Sequence, residues 1–453
     1  MAFIWTGCET TSPESHNDHE LIKKHIPDSW SEETPTGSVA SDWLEDFNDD
    51  QLVSLIDTAF LQNPSLQAAV YRFQQAEANA QIAGALKYPN LGASFSGSRN
   101  QQFFNPFGSF KTENYSLSLS SQWELDIWGK VRDQHSATIA AFEATGYDVD
   151  ALRLSLISQI SKAWFNAKEL LYQRDLAKRS RESFDSNLKV LEGRYQRGLV
   201  DAFDLRLFRS QAAVVRAQVN LREAALDQSI RLVETLVGDY PGRNIEVDKY
   251  LPAAATPIPA ELPAALLENR PDLRAAERRL ASLGATFEVA KKNRLPDIAL
   301  TGTYGQASAE LNDLLDSNSN VWSIGGSITA PIFAGGRLNA QRRLAEAQFN
   351  EQVANYETTI LNAFREVETA LANQAYLVQL VNELSEAASE SSKALDQAYD
   401  LYGRGVIDIT AVLDAERRSF DTQRDSISAV NRVVQNRIDL YIALGGGLKF
   451  EEE

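Results

Sequence analysis

The chain has 453 residues, enough for a substantial core, and its 62 acidic residues against 44 basic residues leave a net charge of −18. This charge repels a phosphate backbone and argues against a nucleic-acid-binding protein. No run of about 18 uninterrupted apolar residues occurs, which argues against a membrane-spanning helix and leaves a soluble protein or a β-barrel, whose strands give only a weak hydropathy signal.

The N-terminus carries the single cysteine, Cys8, which cannot form an intrachain disulfide. The run from Trp5 to Cys8 is similar to the end of a bacterial lipoprotein signal, although such signals usually have Leu three residues before the Cys and a longer apolar run. We therefore predict a covalent lipid at Cys8 that anchors the chain to a membrane without spanning it. The alternative is an incidental exposed cysteine.

The chain repeats itself at a fixed offset, 271 − 64 = 207 residues. Four separated segments recur at that offset: Pro64–Ala69 with Pro271–Ala276, Pro89 with Pro296, Gly129-Lys130 with Gly336-Arg337, and Tyr195–Asp201 with Tyr402–Asp408. A fixed period is the mark of a duplicated unit. We predict five regions: an N-terminal lipid-anchor segment 1–44, a first repeat 45–240, a Pro-rich linker 241–261, a second repeat 262–447 and a tail 448–453.

Each repeat begins with a helix and two strands. The first helix runs from Pro64 to about Leu86, because Pro89 removes a backbone donor and restricts the residue before it. Apolar residues then alternate with small or polar ones, as in strands with one apolar face. They are Leu91, Ala93, Phe95, then after a loop Tyr115, Leu117, Leu119, Trp123 and Leu125 in the first repeat, and Ile298, Leu300, Tyr304, Trp322, Ile324 and Ile328 in the second. Such strands suit a barrel with lipid outside and water inside.

Two long helices follow in each repeat. They span about Val131 to Tyr195 and about Ala202 to Val237, with counterparts at about Leu338 to Tyr402 and Ile409 to Leu444. Apolar residues alternate at spacings of three and four, which predicts a coiled-coil seam. The seam residues are Ile157, Ile160, Trp164, Ala167 and Leu171, then Leu205, Phe208, Ala212, Val215 and Val219.

Helix lengths suggest an elongated protein. A helix of about 65 residues reaches about 98 Å, and the two shorter helices of a repeat, about 23 and 36 residues, total about 89 Å and could line it. Isolated hairpins are marginal, so the four strands are expected to lose their edges by closing with other copies into a common barrel. A soluble coiled-coil scaffold explains the helices equally well but leaves the hairpins without a role.

These features together resemble the TolC-like outer-membrane efflux proteins, particularly the OprM-like lipoprotein branch of RND-type tripartite pumps. The most specific elements are the Tyr-x-x-Gly turns at Tyr195 and Tyr402, the paired prolines, and the runs Glu124–Lys130 and Pro331–Arg337. The resemblance implies an α+β membrane protein, a trimeric 12-stranded β-barrel with four strands per chain, continued by a long α-helical barrel. It implies an exit duct in the outer membrane of a Gram-negative bacterium, which passes drugs or other small solutes from a periplasmic adaptor and an inner-membrane transporter.

The resemblance also assigns roles at the two turns. Arg197, Gly198, Arg404 and Gly405 are expected at the periplasmic tips, where the family meets its adaptor. The alternative is ordinary turn chemistry, since glycine is favoured wherever φ is positive. For the two glycines both interpretations can hold together.

Three residues beyond the second tip are candidates for a periplasmic gate. Asp414 lies where the family places a ring of aspartates, with Asp408 upstream and Thr410 where the family often has an apolar constriction residue. The first-repeat counterpart of Asp414 is Leu207, so one ring per trimer is expected, and mutual repulsion is expected to raise its pKa. The alternative is a charge on a solvated helix face.

An enzyme is not indicated. The four histidines are His16, His19, His25 and His135, and no phosphate-binding Gly loop, nucleophile motif or zinc spacing occurs. We predict no cofactor or resident metal apart from the lipid. With no nucleotide site or intramembrane proton relay, the duct is expected to be passive, and the inner-membrane transporter to supply the energy.

Overall fold

The computed structural model describes residues 27–32, 37, 43–252, 258–260 and 263–447. Cys8 and three of the four histidines lie outside these residues, as does the C-terminal tail. The helices are α1 Asp50–Gln62, α2 Pro64–Ala85, α3 Lys130–Gln196, α4 Ala202–Val237, α5 Leu266–Asn269, α6 Pro271–Lys292, α7 Arg337–Gly403 and α8 Ile409–Ala443. The strands are β1 Asn90–Phe104, β2 Gly108–Glu124, β3 Asp297–Ser308 and β4 Asn320–Thr329.

The two halves repeat the same elements, as predicted. Both long helices, α3 and α7, have 67 residues, and α4 and α8 have 36 and 35. The helices before the hairpins, α2 and α6, have 22 residues each. Helix α1, which the apolar pattern did not predict separately, is capped by Asp49, whose Oδ1 accepts from the backbone N–H of Leu52 at 3.1 Å. The tandem duplication is confirmed, while the exact region boundaries remain predictions.

The chain divides into two compact units. One contains residues 70–147 and 274–357, and with them the strands; the other contains the remaining segments, with most of α3 and α7 and all of α4 and α8. Across the described ranges, every helix is too short, or too polar in any one stretch, to cross a bilayer.

The four strands form one antiparallel sheet in the order β1-β2-β3-β4. Residues directly opposite each other in an antiparallel pair share a face. Leu119 lies opposite Ala93 and Tyr304, and Tyr304 lies opposite Trp322. The apolar residues that the alternation singled out therefore share one face across all four strands, as predicted.

The other face of the sheet is mostly polar. Serine hydroxyls bridge β1 and β2 there, with 3.1 Å between the Oγ atoms of Ser94 and Ser118 and 2.8 Å between those of Ser96 and Ser116. One face suits an apolar surround and the opposite face suits water.

The first hairpin is longer than predicted. The region between Phe95 and Tyr115, predicted as a loop, is strand except for 105–107. Backbone hydrogen bonds extend the ladder through polar residues, and an ion pair at 2.9 Å joins Arg99 to Glu113 across it. Apolar alternation could not reveal this extension because residues 96–102 and 111–114 are all glycine or polar, and its phenylalanines come only next to the turn.

The motif after β2 forms the start of the first long helix. Both carboxylate oxygens of Asp126 accept backbone N–H groups of that helix, from Val131 and Arg132, at 2.9 Å each. The ammonium of Lys130 pairs with Glu124 and Asp297 at 2.6 Å each. This motif thus ties the ends of β2 and β3 to the first turn of α3.

The seam in the other unit is buried as predicted. All ten seam residues on α3 and α4 are buried, with Ile160, Trp164 and Ala167 fully so. Ion pairs at 2.6 Å between Arg209 and Glu192 and at 2.9 Å between Arg216 and Asp185 run in opposite chain directions. The two helices are therefore antiparallel.

A buried lysine ties two distant segments to this core. Lys168, whose side chain is 0 % exposed, lies 2.6 Å from the carboxylate of Asp49 and 2.5 Å from that of Asp248. Trp164 Nε1 donates to the same Asp49 carboxylate at 2.8 Å. The segment before α1 and the start of the predicted linker are thereby held against α3.

Candidate functional site

The two helix tips close in the same way. Gly198 and Gly405 have φ of +72° and +76°, in the left-handed region that favours glycine. The N–H of Leu199 donates to the Arg194 carbonyl at 3.0 Å, and the N–H of Val406 donates to the Leu401 carbonyl at 2.9 Å. These bonds satisfy carbonyls that the helix ends leave free. Nothing lies within 4 Å of a Cβ placed on either glycine, so a side chain there meets backbone strain but no steric block.

The structure brings the tips of the two repeats together. Arg194 Nη2 donates to the Gly403 carbonyl at 3.4 Å, and its guanidinium lies 5.4 Å from the Tyr402 ring centroid. The predicted tip arginines have local roles instead, since Arg197 donates to the Gly193 carbonyl at 3.1 Å and Arg404 pairs with Asp400 at 2.6 Å. The bridging residue is Arg194, which sequence reasoning missed.

A common core lies beneath the tips. Side chains from the four helices α3, α4, α7 and α8 form this core, and their packing fixes the two turns relative to each other. Its buried residues are Phe184, Leu191, Leu205, Phe208, Ala212, Val215, Ala398, Ile409 and Val412.

Large apolar side chains face outward around the tips. Leu199 and Phe203 are each 68 % exposed, and Val406 is 65 % exposed. Apolar side chains clustered on an exposed turn are typical of a protein-binding surface.

The helices that leave the tips begin with aspartates. Asp201 caps α4 by accepting from the N–H of Asp204 at 2.9 Å, whereas Asp408, the equivalent residue before α8, makes no side-chain capping bond. Burial, and then the nearby carboxylates of Asp201 and Asp408, raise the pKa of Asp204. Asp408 therefore lies close to the first tip, and Thr410 is exposed in the first turn of α8.

Asp414 is compensated within its own helix. Its carboxylate accepts from Arg417 at 2.6 Å and from Arg418 at 2.9 Å. The hydrogen bonds from Arg418 and Arg417 lower the pKa of Asp414 within one chain, while the predicted rise arises from repulsion between copies and stays a prediction. The pairing of Asp414 with Arg417 and Arg418 was predictable from the sequence, because basic residues three and four positions after an aspartate lie on its side of a helix.

A second carboxylate near Asp414 is buried. Glu416 lies in the packed region between α3, α7 and α8, where it accepts from the hydroxyl of Tyr399 and, at 3.1 Å, from the Oγ of Ser183. Burial raises the pKa of Glu416, and the carboxylate has no cation within ion-pair distance among the described residues. Burial also raises the pKa of Tyr399.

Within the ranges that the structure covers, no group of three or more His, Cys, Asp or Glu side chains is arranged to hold a metal ion. The tips present glycine turns and exposed apolar side chains, and the Asp414 carboxylate beyond them is ion-paired with Arg417 and Arg418.

Comparison with known proteins identifies the family. The family model described as outer membrane efflux protein matches residues 55–239 and 262–446, so it matches each repeat separately. The chain belongs to the outer membrane efflux protein family.

Relatives match along nearly the whole chain. The probable outer membrane lipoprotein SilC of Salmonella typhimurium is 29% identical, and the match covers 98% of this chain and 97% of that protein. The outer membrane protein OprJ of Pseudomonas aeruginosa is 31% identical over 93% of this chain and 90% of OprJ. The open state of the Neisseria gonorrhoeae MtrE outer membrane channel superposes with a TM-score of 0.82 at 29% identity, covering 94% of this chain and 96% of that one.

The efflux protein is thus an outer-membrane exit channel of a tripartite efflux system of a Gram-negative bacterium. Its fold class is the one that the sequence predicted, a trimeric 12-stranded β-barrel with four strands from each chain, continued by an α-helical barrel. The soluble scaffold alternative is not supported.

The buried Glu416 predicts a pH dependence of the channel's stability. Because its pKa is raised in the folded state, the folded state binds the proton more tightly than the unfolded state. Glu416 therefore costs no stability below the unfolded value of 4.5, and it costs progressively more as the pH rises through the folded pKa. Glu416→Gln, which is neutral throughout, should raise the melting temperature at neutral pH.

This pH dependence is measured by thermal unfolding of both proteins between about pH 5 and about pH 8. The gap between Glu416→Gln and the parent should narrow as the pH falls. Glu223→Gln, at an exposed ion pair with Lys178, is the control and should not gain stability. A gap that is constant across this range would show that Glu416 does not titrate as the geometry indicates.

Proposed function

We propose that the paired tips are the end of the duct that binds the periplasmic adaptor. The observation that supports this is the juxtaposition of the two repeats by Arg194 and Tyr402, with Leu199, Phe203 and Val406 exposed around it. Arg197, Gly198, Arg404 and Gly405 shape the two turns, and they present these apolar side chains to the adaptor. A pair of similar turns offers two similar positions for the adaptor.

Asp414, with Asp408 and Thr410 upstream, forms the periplasmic gate of the resting duct. Each Asp414 carries Arg417 and Arg418 with it, so the ring in a trimer is a set of ion pairs and not a set of bare carboxylates. The ion pairs with Arg417 and Arg418 fix the position of each Asp414 side chain in such a ring. The carboxylate oxygens then face the lumen and attract cations.

The inner-membrane transporter is of the RND type, and Cys8 carries the lipid anchor. The runs Glu124–Lys130 and Pro331–Arg337, which resemble the OprM-like branch, support the first statement. The relative SilC, named a lipoprotein, supports the second. Incorporation of labelled palmitate into the parent and not into Cys8→Ser tests the anchor.

Gly405→Val tests the tip. The left-handed φ of +76° costs a residue with a Cβ about 1–2 kcal/mol, while the space around Gly405 is open. We therefore expect trimers to form in normal amounts and cross-linking to the adaptor in intact cells to fall. Gly193→Ala, inside α3 with open space around it, is the matched control and should leave both unchanged. Parallel loss of trimer and cross-links in Gly405→Val would favour a purely structural turn.

Asp414→Ala tests the gate. Removing the carboxylate leaves Arg417 and Arg418 uncompensated, so the constriction becomes more positive. We expect planar-bilayer recordings to show weaker cation preference and weaker block by multivalent cations, with trimer stability unchanged. Asp57→Ala, at an exposed aspartate on α1, is the control. Unchanged conductance, selectivity and block in Asp414→Ala would place this aspartate on an ordinary solvated face.

A further inference from the structure

The chain has a basic residue at the same position in each of its two helix-to-strand junctions, residues 86–89 after α2 and 293–296 after α6. Lys87 is followed by Tyr88, and 207 residues later Arg294 is followed by Leu295. Tyr88 is 72 % exposed and Arg294 is also exposed, whereas Lys87 is partly buried. Both repeats therefore place a cation directly before an exposed apolar side chain at the point where the sheet begins.

Tryptophan indoles hold both junctions at the base of the sheet. Trp123 Nε1 donates to the carbonyl of Lys87 at 3.0 Å, and Trp128 Nε1 donates to the carbonyl of Pro296 at 2.7 Å. Trp123 lies on the apolar face of the sheet, since it is four residues from Leu119 on the same strand. An indole, with an apolar body and one N–H donor, is favoured at the boundary between lipid and water.

The apolar row on β2 has the height of a membrane. It runs from Tyr115 to Leu125, 125 − 115 = 10 residue steps, and the N–H of Leu125 continues the ladder by donating to the carbonyl of Ile298 at 2.8 Å. At about 3.3 Å per residue and a strand tilt of about 40°, the row spans about 25 Å along the membrane normal, the height of the apolar band of an outer-membrane barrel. Trp123 therefore lies near the edge of the hydrocarbon. The helices leave the sheet at this end, so the nearby head groups belong to the leaflet that faces the periplasm.

Lys87 and Arg294 lack the ion pairs that a neighbouring cation makes. Lys130, at the same end of the sheet, pairs with Glu124 and Asp297 at 2.6 Å each. Among the residues that the structure describes, neither Lys87 nor Arg294 lies within ion-pair distance of a carboxylate. In a chain with a net charge of −18, these two cations are a local exception, and both are available to an anion from outside the chain.

His135 fixes the ammonium of Lys87. The ammonium donates to Nδ1 of His135 at 2.6 Å. Burial, and then the charge of Lys87, lower the pKa of His135, so the neutral ring is the acceptor. The ring lies close against α2, because a Cβ placed on Gly84 would lie 2.9 Å from its Nε2. An ammonium has three N–H donors, so two remain for an external acceptor.

We propose that Lys87 and Arg294 bind the phosphate groups of glycerophospholipids in the periplasm-facing leaflet of the outer membrane. Phosphate is the anionic group that these lipids share, and basic side chains bind it through charge-assisted hydrogen bonds. Tyr88 and Leu295 lie next to the two cations in the chain and suit the apolar part of the same lipid. Three copies give 3 × 2 = 6 such positions around the base of the barrel. This inference depends on the membrane placement of the sheet, and neither the tip docking nor the gate enters it.

Native mass spectrometry of the detergent-purified trimer, titrated with phosphatidylglycerol, tests the proposal by counting bound lipids on the intact assembly. Lys87→Gln and Arg294→Gln should each bind the lipid about fivefold more weakly, which corresponds to about 1 kcal/mol for one basic residue at a lipid surface. Lys87→Arg keeps the charge and should bind as the parent does. The matched control is Lys189→Gln, an exposed lysine on α3 about 81 Å from His135, which should leave the affinity unchanged.

Two further ligands separate the sources of affinity. Diacylglycerol, which lacks the phosphate, should bind more weakly than phosphatidylglycerol, and inorganic phosphate at an equal concentration should not displace the lipid. Equal binding of diacylglycerol would reduce the site to apolar contact, and displacement by inorganic phosphate would make it an anion site without preference for lipid; either result overturns the proposal. Unchanged affinity in both glutamine variants, or an equal loss in Lys189→Gln, would also overturn it.

Discussion

Replacing Lys168 by alanine is expected to lower the free energy of unfolding by about 3–5 kcal/mol, because removing one partner of a buried pair leaves uncompensated charge. Lys168 is fully buried between the carboxylates of Asp49 and Asp248, and it also lies 5.1 Å from the Trp164 ring centroid. In Lys168→Ala the Asp49 carboxylate stays buried, with the Trp164 indole and the Leu52 backbone N–H as its remaining donors.

Denaturant unfolding of the assembled channel measures the effect, with the loss read from the shift in midpoint at constant slope. The matched control is Lys178→Ala on the same helix, where the pair with Glu223 is exposed and should cost no more than about 1 kcal/mol. Equal losses in the two variants would mean that Lys168 contributes no more than a surface pair. A loss of protection confined to the segment around Asp49 in hydrogen exchange would support its role as a tie between segments.

Leu119→Arg is expected to cost about 2–4 kcal/mol per chain if that side chain meets lipid near the membrane midplane. The register supports this placement, because Leu119 shares the apolar face with Ala93, Tyr304 and Trp322 across the sheet. All three copies of the trimer carry the change, so the yield of assembled channel should fall steeply.

Ser118→Arg is the matched control for the sheet face. Ser118 is adjacent in sequence but faces the opposite side, where its hydroxyl lies 3.1 Å from that of Ser94. We expect Ser118→Arg to assemble and to alter conductance, since a lumen substitution changes selectivity more than stability. Normal assembly of Leu119→Arg together with failure of Ser118→Arg would reverse the assignment of the two faces.

Local sequence patterns predicted most of the secondary structure. The predicted helix Ala202–Val237 matches α4, and the other long helices differ from prediction by one residue at one or both ends. Spacings of three and four residues and the stops at Pro89 and Pro296 are properties of short sequence windows. The longer β1 and β2 were missed because polar residues pair there through the backbone.

The tip and gate residues were predictable only in part. The glycine turns at 198 and 405 follow from the positive φ that such closures need, and the offset of 207 made them a pair. The compensation of Asp414 by Arg417 and Arg418 was readable from helical spacing but was overlooked. The bridge from Arg194 to the second tip joins residues that are 209 positions apart, so no local pattern could reveal it.

The sequence by itself determined the duplication, the helices, the alternating strands and the family, because these are set by periodicity, turn chemistry and motifs within each repeat. Tertiary structure alone decided that Lys168 meets Asp49 and Asp248, and that Glu416 is buried and accepts from the hydroxyl of Tyr399. Burial and charge pairing depend on which distant segments pack together. That choice depends on the whole chain.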